Sequence, residues 1–209
     1  MIGIFGGTFD PIHYGHLRPV NEVQRVLKLS EVRVIPAALP PHRDTPSASA
    51  ADRLAMVELA LKEYPQFVVD DRELKREGLS YTLDTLESLA QELPESIFCL
   101  LIGGDAFLSF NTWHRWQDLL TLAHIVVMQR PGWSTEHKDT IPMWARKRVC
   151  DSASALSRES AGQVWLQPVK PVDISGTQVR TMVSRGKSVK GLVPAAVAEY
   201  IEQHHLYSV

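Results

Sequence analysis

The run of residues from Gly6 to His16, with the sequence Gly-Gly-Thr-Phe-Asp-Pro-Ile-His-Tyr-Gly-His, combines residue types that bind phosphate. It follows the apolar residues 2–5, so we expect a buried strand that leads into a glycine-rich turn. Gly6 and Gly7 have no Cβ and tolerate positive φ, which lets backbone amides approach an anion. His13 and His16 are spaced to share one side of a helix's first turn, where free N–H groups and the helix dipole favour negative charge. The run therefore predicts a phosphate site, and the alternative is a tight turn with two solvated histidines.

Residues 174–180, Ile-Ser-Gly-Thr-Gln-Val-Arg, form a second segment suited to an anion. Ser175 or Gly176 is expected to begin a helix, which leaves free backbone amides near Thr177. Arg180 lies one turn further along this helix and can reach back over the same anion. Without an anion, Ser175 is an ordinary N-cap and Arg180 an exposed helical residue.

Short apolar runs alternate with helical patterns along the chain, which predicts βαβ units. The expected fold class is α/β, with a Rossmann-like, open, mainly parallel sheet and helices on both of its faces. Ligands of such sheets bind outside the carboxyl ends of the strands. The predicted strands are residues 2–5, 32–35, 67–69, 97–102, 125–128 and 164–166. The predicted helical features are residues 15–27, the stripe of Leu54, Val57 and Leu61, the stripe of Leu86, Leu89, Ala90 and Leu93, and a closing helix within residues 193–207.

The chain has 209 residues, of which 44% are hydrophobic and 22% charged, enough for one α/β core. We expect a single domain over residues 1–209, in which the part from about 171 to 209 carries the second motif and the closing helices. The net charge of −2 excludes the broad basic field of a nonspecific nucleic-acid binder. The charge-free apolar run 97–102 is too short to span a bilayer. Neither nucleic acid nor a membrane is an expected partner, and the expected location is the cytoplasm.

The two cysteines, Cys99 and Cys150, lie far apart and lack the spacing of metal ligands. We expect both to be reduced structural residues, with neither a disulfide nor a structural zinc site. Trp116 and His124 are likewise expected to be structural, the first in the core and the second at the start of a strand.

The four residues from His13 to His16 match the His-x-Gly-His signature of the nucleotidylyltransferase superfamily. Within that superfamily, the run 6–16 and the segment 174–180 resemble those of the bacterial nicotinate mononucleotide adenylyltransferases, the second as an Ile-Ser-x-Thr-x-(Ile/Val)-Arg motif. The resemblance implies that the 5′-phosphate of nicotinate mononucleotide attacks the α-phosphorus of ATP, giving nicotinate adenine dinucleotide and pyrophosphate in NAD biosynthesis. ATP and nicotinate mononucleotide are thus the implied partners. Mg²⁺ is expected to arrive mainly bound to ATP, because the sequence shows no clustered carboxylates.

The resemblance also assigns roles to individual residues. It implies catalysis by His16 as the main donor to the transferring phosphate, by His13 on the β- or γ-phosphate side, and by Arg180. Thr8 and Phe9 are expected to contribute mainly their backbone amides. The implied ATP-binding residues are Gly6, Gly7, Thr8, Phe9, His13, His16, Ser175, Thr177 and Arg180. The implied nicotinate mononucleotide-binding residues are Thr8, His42, Arg43, Ser80, Tyr81, Thr82, Asp105, Trp113 and His114, and no residue is expected to ligate a metal.

Several residues implied for nicotinate mononucleotide have a structural alternative. Arg43, in a Pro-rich segment, is expected to contact the phosphate, with His42 secondary, and the alternative is a solvated loop. Ser80 is also a candidate N-cap for the helix that follows it. Asp105 is expected near the ribose hydroxyls, and the alternative is that it caps a helix. Trp113 is expected to stack on the pyridine ring, which suits its flat apolar face.

Other functions share part of these motifs. The same fold can adenylylate nicotinamide mononucleotide or phosphopantetheine, or transfer a cytidylyl group, although Thr82 and Trp113 favour a pyridine nucleotide. A non-catalytic nucleotide-binding module predicts loss of a signature histidine or of the Arg180 motif, and both are intact. Class I aminoacyl-tRNA synthetases share the histidine signature, but this chain has no Lys-Met-Ser-Lys-Ser-like segment. Residues 133–162 match no motif.

Overall fold

The computed structural model describes residues 1–39, 45–129 and 141–208. Within these ranges strands and helices alternate, as expected of an α/β protein. The described strands are β1 Ile2–Gly7, β2 Glu31–Pro36, β3 Phe67–Val69, β4 Phe98–Gly103, β5 Ala123–Gln129 and β6 Val164–Pro168. The described α-helices are α1 Tyr14–Leu27, α2 Ala50–Leu61, α3 Arg72–Lys75, α4 Thr82–Glu92, α5 Gly104–Leu108, α6 Trp116–Leu122, α7 Gly176–Ser184 and α8 Ala195–Gln203.

The strands form one parallel sheet in the order β3-β2-β1-β4-β5-β6. Its register pairs Ile2 with Phe98 between β1 and β4, and Phe98 with Ala123 between β4 and β5. The parallel sheet and all six predicted strands are confirmed. The winding of the sheet reverses at β1, and doubly wound sheets bind ligands outside the carboxyl ends of the strands at such a point. The run 6–16 leaves β1 at this end.

The described residues group into two compact units, each assembled from several pieces of the chain. Unit 1 comprises Met1–Phe5, Glu22–Val32 and Tyr81–Pro171. Unit 2 comprises Gly6–Asn21, Arg33–Ser80 and Val172–Val209.

The core of unit 1 is centred on β4 and β5. Every residue of β5 is buried, and β4 is buried up to its last residue, as expected for parallel strands covered on both faces. Helix α4 packs against α6, and the predicted stripe is right for Leu86 and Leu89, which are buried. Ala90 and Leu93 are half-buried, and Leu93 is the C-cap residue that follows the helix. Trp116 differs from its expected place in the core, because it is only half-buried, with its ring against Phe110 and Trp144.

His124 and the cysteines have the structural character predicted for them. His124 is fully buried near the start of β5, where its Nδ1 accepts the N–H of Gln163 at 3.1 Å. Its Nε2 must therefore carry the proton and donate to the carbonyl of Glu159 at 3.0 Å. Cys99 and Cys150 are free thiols, and burial raises the pKa of Cys99 to about 12.

The core of unit 2 is built around α2, which packs against β3 and α8. Ser49 caps α2 by accepting the N–H of Asp52. The predicted stripe is right for Val57 and Leu61, which are buried, whereas Leu54 is half-buried beside the fully buried Arg53. Among the described helices, none combines the length and apolar composition needed to cross a bilayer.

Candidate active site

The turn after β1 differs in one respect from the prediction. Positive φ was expected to be useful at Gly6 or Gly7, but neither has it, and the left-handed residue is Phe9, with φ of 50°. Gly7 is required for a different reason, since a Cβ there would lie 2.8 Å from Cε1 of the Phe9 ring. Gly6 is exposed, and the nearest atom to a Cβ would be the Ile35 carbonyl oxygen at 3.9 Å. The backbone at Gly6 is therefore open to a ligand.

His13 and His16 lie on the same side of the helix start, as their spacing predicts. Their rings stack, with centroids 3.7 Å apart and planes 21° from parallel. The carbonyl of His13 accepts the N–H groups of His16 and Leu17 and so opens α1. His13 is only 4% exposed, and burial lowers its pKa to about 4. Its imidazole is therefore neutral at pH 7 and carries one N–H donor.

The Nδ1 atom of His13 is buried and has no hydrogen-bond partner among the described residues. Buried polar atoms in native proteins are nearly always paired, so an unpaired ring nitrogen in a phosphate-type motif points to a ligand. The neighbouring helix start supplies free N–H groups of the same donor character.

Gly15 brings the two sequence motifs together. A Cβ at residue 15 would lie 2.5 Å from the carbonyl oxygen of Ile174 and 2.8 Å from Nδ1 of His13. A real Cβ is not found this close to backbone, so only glycine fits between the two segments. The residues 13–16 and 174–180, distant in sequence, are therefore neighbours in unit 2.

The second motif begins α7 as predicted. Ser175 is the N-cap and forms a capping box with Gln178: the Ser175 hydroxyl accepts the Gln178 N–H, and the Gln178 side chain accepts the Ser175 N–H. Arg180, one turn along, donates from Nη1 to the Asp10 carbonyl at 2.6 Å and from Nη2 to Thr177 Oγ1 at 3.4 Å. Its side chain remains 32% exposed.

Asp10 is a residue that sequence reasoning missed. Its carboxylate is 9% exposed and accepts from the N–H of Ser47 at 2.8 Å, the N–H of Ala48 at 3.1 Å and the hydroxyl of Tyr207 at 2.8 Å. Nη1 of Arg180 lies 3.8 Å from the same carboxylate. The signal in the sequence was an acidic residue inside a phosphate motif. Its negative charge would repel a phosphate ligand, so its carboxylate is expected to bind other groups of the protein instead.

Arg53 is a second missed residue. Its side chain is 1% exposed and donates to the carbonyl oxygens of Thr8 at 2.7 Å, Ala37 at 2.7 Å and Ala38 at 3.3 Å. It thus links the turns that follow β1 and β2. The available signal was a guanidinium placed among the apolar residues of a predicted helix.

Ser80 does not cap the helix that follows it, contrary to one prediction. Its hydroxyl accepts the N–H groups of Ala38 at 2.9 Å and Leu39 at 3.3 Å, and Tyr81 is the N-cap residue of α4. Ser80 therefore fixes the segment that leaves β2. His42 and Arg43, the candidates for the mononucleotide phosphate, lie outside the described residues.

Of the remaining residues implied for nicotinate mononucleotide, Thr8 lies in unit 2, where its carbonyl accepts Arg53, and the other five lie in unit 1. Thr82 is the first residue of α4, and the rings of Tyr81 and His114 lie 4.4 Å apart with a 32° tilt. Trp113 is half-buried, 5.3 Å from the Phe110 ring. Asp105 is exposed in the first turn of α5, whose N-cap is Gly103, so the helix-cap alternative for Asp105 is wrong.

Comparisons with known proteins agree with this architecture. The family model for cytidylyltransferase-like proteins matches residues 4–182. The probable nicotinate-nucleotide adenylyltransferases of Aeromonas salmonicida and Pseudomonas syringae pv. tomato are 47% and 49% identical to the chain, over 99% of it and over 96% and 93% of their own lengths. A Plasmodium falciparum nicotinic acid mononucleotide adenylyltransferase complexed with NaAD shares the fold, with a TM-score of 0.72 at 16% identity over 99% of this chain and 96% of that one.

Proposed function

Because this chain belongs to the cytidylyltransferase-like family, and within it to the nicotinate-nucleotide adenylyltransferases, we propose that it transfers the adenylyl group of ATP to nicotinate mononucleotide. A phosphate oxygen of the mononucleotide forms a bond to the α-phosphorus, and the bond from that phosphorus to the β-phosphate oxygen breaks. The products are nicotinate adenine dinucleotide and pyrophosphate, in NAD biosynthesis. The observation that carries this proposal is the identity of 47% across 99% of the chain.

The nucleophile belongs to the substrate, so the protein's task is to hold two anions in line and stabilise charge on the phosphates. Alignment of two reactants lowers such a barrier by ~7–11 kcal/mol. Each donor aimed at the developing charge contributes roughly 3–4 kcal/mol more. In this proposal His16 donates to the transferring phosphate and His13 to the β- or γ-phosphate. Because His13 is neutral, it acts through a hydrogen bond from its N–H group and not through a positive charge.

The start of α7 and Arg180 are proposed to hold the triphosphate. Ser175 accepts the N–H of Gln178, so the first two amides of the helix, at Gly176 and Thr177, are available to an anion. Arg180 is anchored by the Asp10 carbonyl, and its side chain as a whole is still about one third exposed. A guanidinium that is held in place through one of its nitrogens is well suited to bind phosphate oxygens.

Mg²⁺ is proposed to enter as part of the ATP substrate. The chemistry of unit 2 supports this, because its motif residues offer imidazole, guanidinium, hydroxyl and amide donors that bind phosphate oxygens. The Asp10 carboxylate, an oxygen ligand type that Mg²⁺ prefers, already accepts three hydrogen bonds. We also propose a cytoplasmic location, where ATP is available.

The proposal is tested by comparing kcat/KM for nicotinate mononucleotide, nicotinamide mononucleotide and phosphopantetheine, each with Mg-ATP. The acid should be preferred over the amide, since Thr82 at the start of α4 and the N–H groups around Tyr81 offer donors that suit a carboxylate. An amide would turn its NH₂ toward those donors, and one buried donor without a partner costs about 1–3 kcal/mol, so we expect at least a tenfold preference. Equal efficiency would refute the carboxylate pocket, activity on phosphopantetheine alone would change the acceptor, and no activity would favour a nucleotide-binding module.

A further inference from the structure

Tyr207, in the C-terminal part of unit 2, forms a hydrogen bond to the phosphate motif. The hydroxyl of Tyr207 donates to Asp10 Oδ1 at 2.8 Å across 197 positions of sequence. Tyr207 follows the end of α8, and its backbone is left-handed with φ of 62°. A bulky residue adopts this conformation only where tertiary contacts hold it there. The hydrogen bond to Asp10 is such a contact.

Tyr207 is a permanent donor in this contact. Burial and the bond to the Asp10 carboxylate both raise the pKa of the Tyr207 phenol. The phenol therefore stays protonated wherever the carboxylate is charged, and the bond is charge-assisted and strong.

Asp10 connects Tyr207 to Arg180. The carboxylate of Asp10 accepts from Tyr207, whereas its main-chain carbonyl accepts Nη1 of Arg180 at 2.6 Å. Fixing the carboxylate fixes the peptide plane that holds the guanidinium. The tight fit of Gly176 reinforces this, since a Cβ there would lie 3.1 Å from the Asp10 oxygen and 3.2 Å from Arg180 Nη1. Small movements of Asp10 are thus transmitted directly to α7.

We propose that Tyr207 is a positioning residue of the ATP site, which orients Arg180 through Asp10. Tyr207 touches no reacting atom in this role. The inference rests on the proposed function only in so far as ATP binds at Arg180, because it requires no particular acceptor.

The test is the substitution Tyr207→Phe, which removes the hydroxyl and keeps the ring. Calorimetric titration with Mg-ATP in the absence of any acceptor should show a Kd raised by about 2- to 30-fold, the range by which residues acting through others change binding. In turnover, KM for ATP should rise more than KM for nicotinate mononucleotide. A residue with only a structural role would affect both substrates alike.

Tyr200→Phe is the matched control on the same C-terminal segment. The Tyr200 hydroxyl donates to Asp52 Oδ1 at 3.0 Å, so this change deletes an equivalent bond that does not lead to Arg180. ATP affinity should stay within twofold of wild type. Equal effects of Tyr207→Phe and Tyr200→Phe on ATP affinity would overturn the proposal.

The route through Arg180 is tested in a double-mutant cycle. If Tyr207 acts through Arg180, Tyr207→Phe should not weaken ATP binding further in an Arg180→Ala background. Additive losses would contradict the route. If the wild type binds ATP but does not adenylylate nicotinate mononucleotide, the proposed function fails while this inference is still decided by the titrations. A wild type that binds no ATP overturns both.

Discussion

The carbonyl oxygen of Ile174 approaches Gly15 so closely that a Cβ on residue 15 would lie 2.5 Å from it. Each of these residues belongs to one of the two phosphate-type motifs. Together with the approach of Gly176 and Arg180 to the Asp10 carbonyl, this contact sets the spacing between the motifs.

Substitution Gly15→Ala should separate the motifs. The clash is with backbone, which cannot rotate away, and overpacking of this kind costs about 1–3 kcal/mol. We expect a lower free energy of unfolding in urea together with a loss of kcat/KM. Gly103→Ala is the control, because a Cβ at Gly103 would meet no atom within 4 Å. Similar free energies of unfolding for the two variants would show that the close approach of Gly15 to Ile174 does not constrain residue 15 to glycine.

His16→Ala should mainly affect the chemical step. Loss of one preorganised donor lowers kcat by roughly 10²–10³-fold. His16 is half-buried at the helix start, so the melting temperature should change little. His204→Ala is the control, since this exposed histidine stacks on Tyr200 and should leave kcat unchanged. Near-normal turnover by a folded His16→Ala protein would remove His16 from the mechanism.

Arg180 and Arg43 should separate the two substrates. Arg180→Ala is expected to weaken ATP more than nicotinate mononucleotide, because Arg180 lies on α7 beside the proposed triphosphate amides. Arg43→Ala should do the reverse, on the basis of the sequence resemblance alone. Binding titrations of each variant with each substrate provide the measurement. Loss of the same ligand in both variants would mean that the two segments do not serve different substrates.

His13 should make stability depend on pH. Burial lowers its pKa from 6.5 to about 4 in the folded protein, so between these pH values the unfolded state binds a proton that the folded state does not. The stabilisation from His13 is therefore complete above pH 6.5 and is lost as the pH falls toward 4, by about 3 kcal/mol in total. Urea unfolding at pH 7, 5.5 and 4.5 should show a steeper decline for the wild type than for His13→Gln. Parallel declines would contradict the assignment.

The local patterns of the sequence were sufficient to predict the strands and the start of α7. The apolar run 97–102 is short and is followed by two glycines, which favours a buried strand, and Ser175 forms its cap with a residue three positions away. Interactions of this range are visible in a sequence because both partners stand next to each other.

The missed and mistaken residues depend on partners far away in the chain. Ser80 has the local signature of a cap, but its hydroxyl is used by the amides of Ala38 and Leu39, more than 40 positions earlier. The described partners of the Asp10 carboxylate are distant in sequence, and its contact with Tyr207 spans nearly the whole chain. No periodicity or motif encodes such pairs.

The buried guanidinium of Arg53 limits whether the phosphate motif can keep its conformation outside this protein. Arg53 lies 45 positions after Thr8, yet it holds the carbonyl of that residue and the carbonyl of Ala37 at once. The conformation of the turn therefore depends on a side chain of α2, which lies outside the motif. A peptide that carries the complete signature, or a foreign scaffold onto which the signature is grafted, lacks the side chain that gives the turn its form.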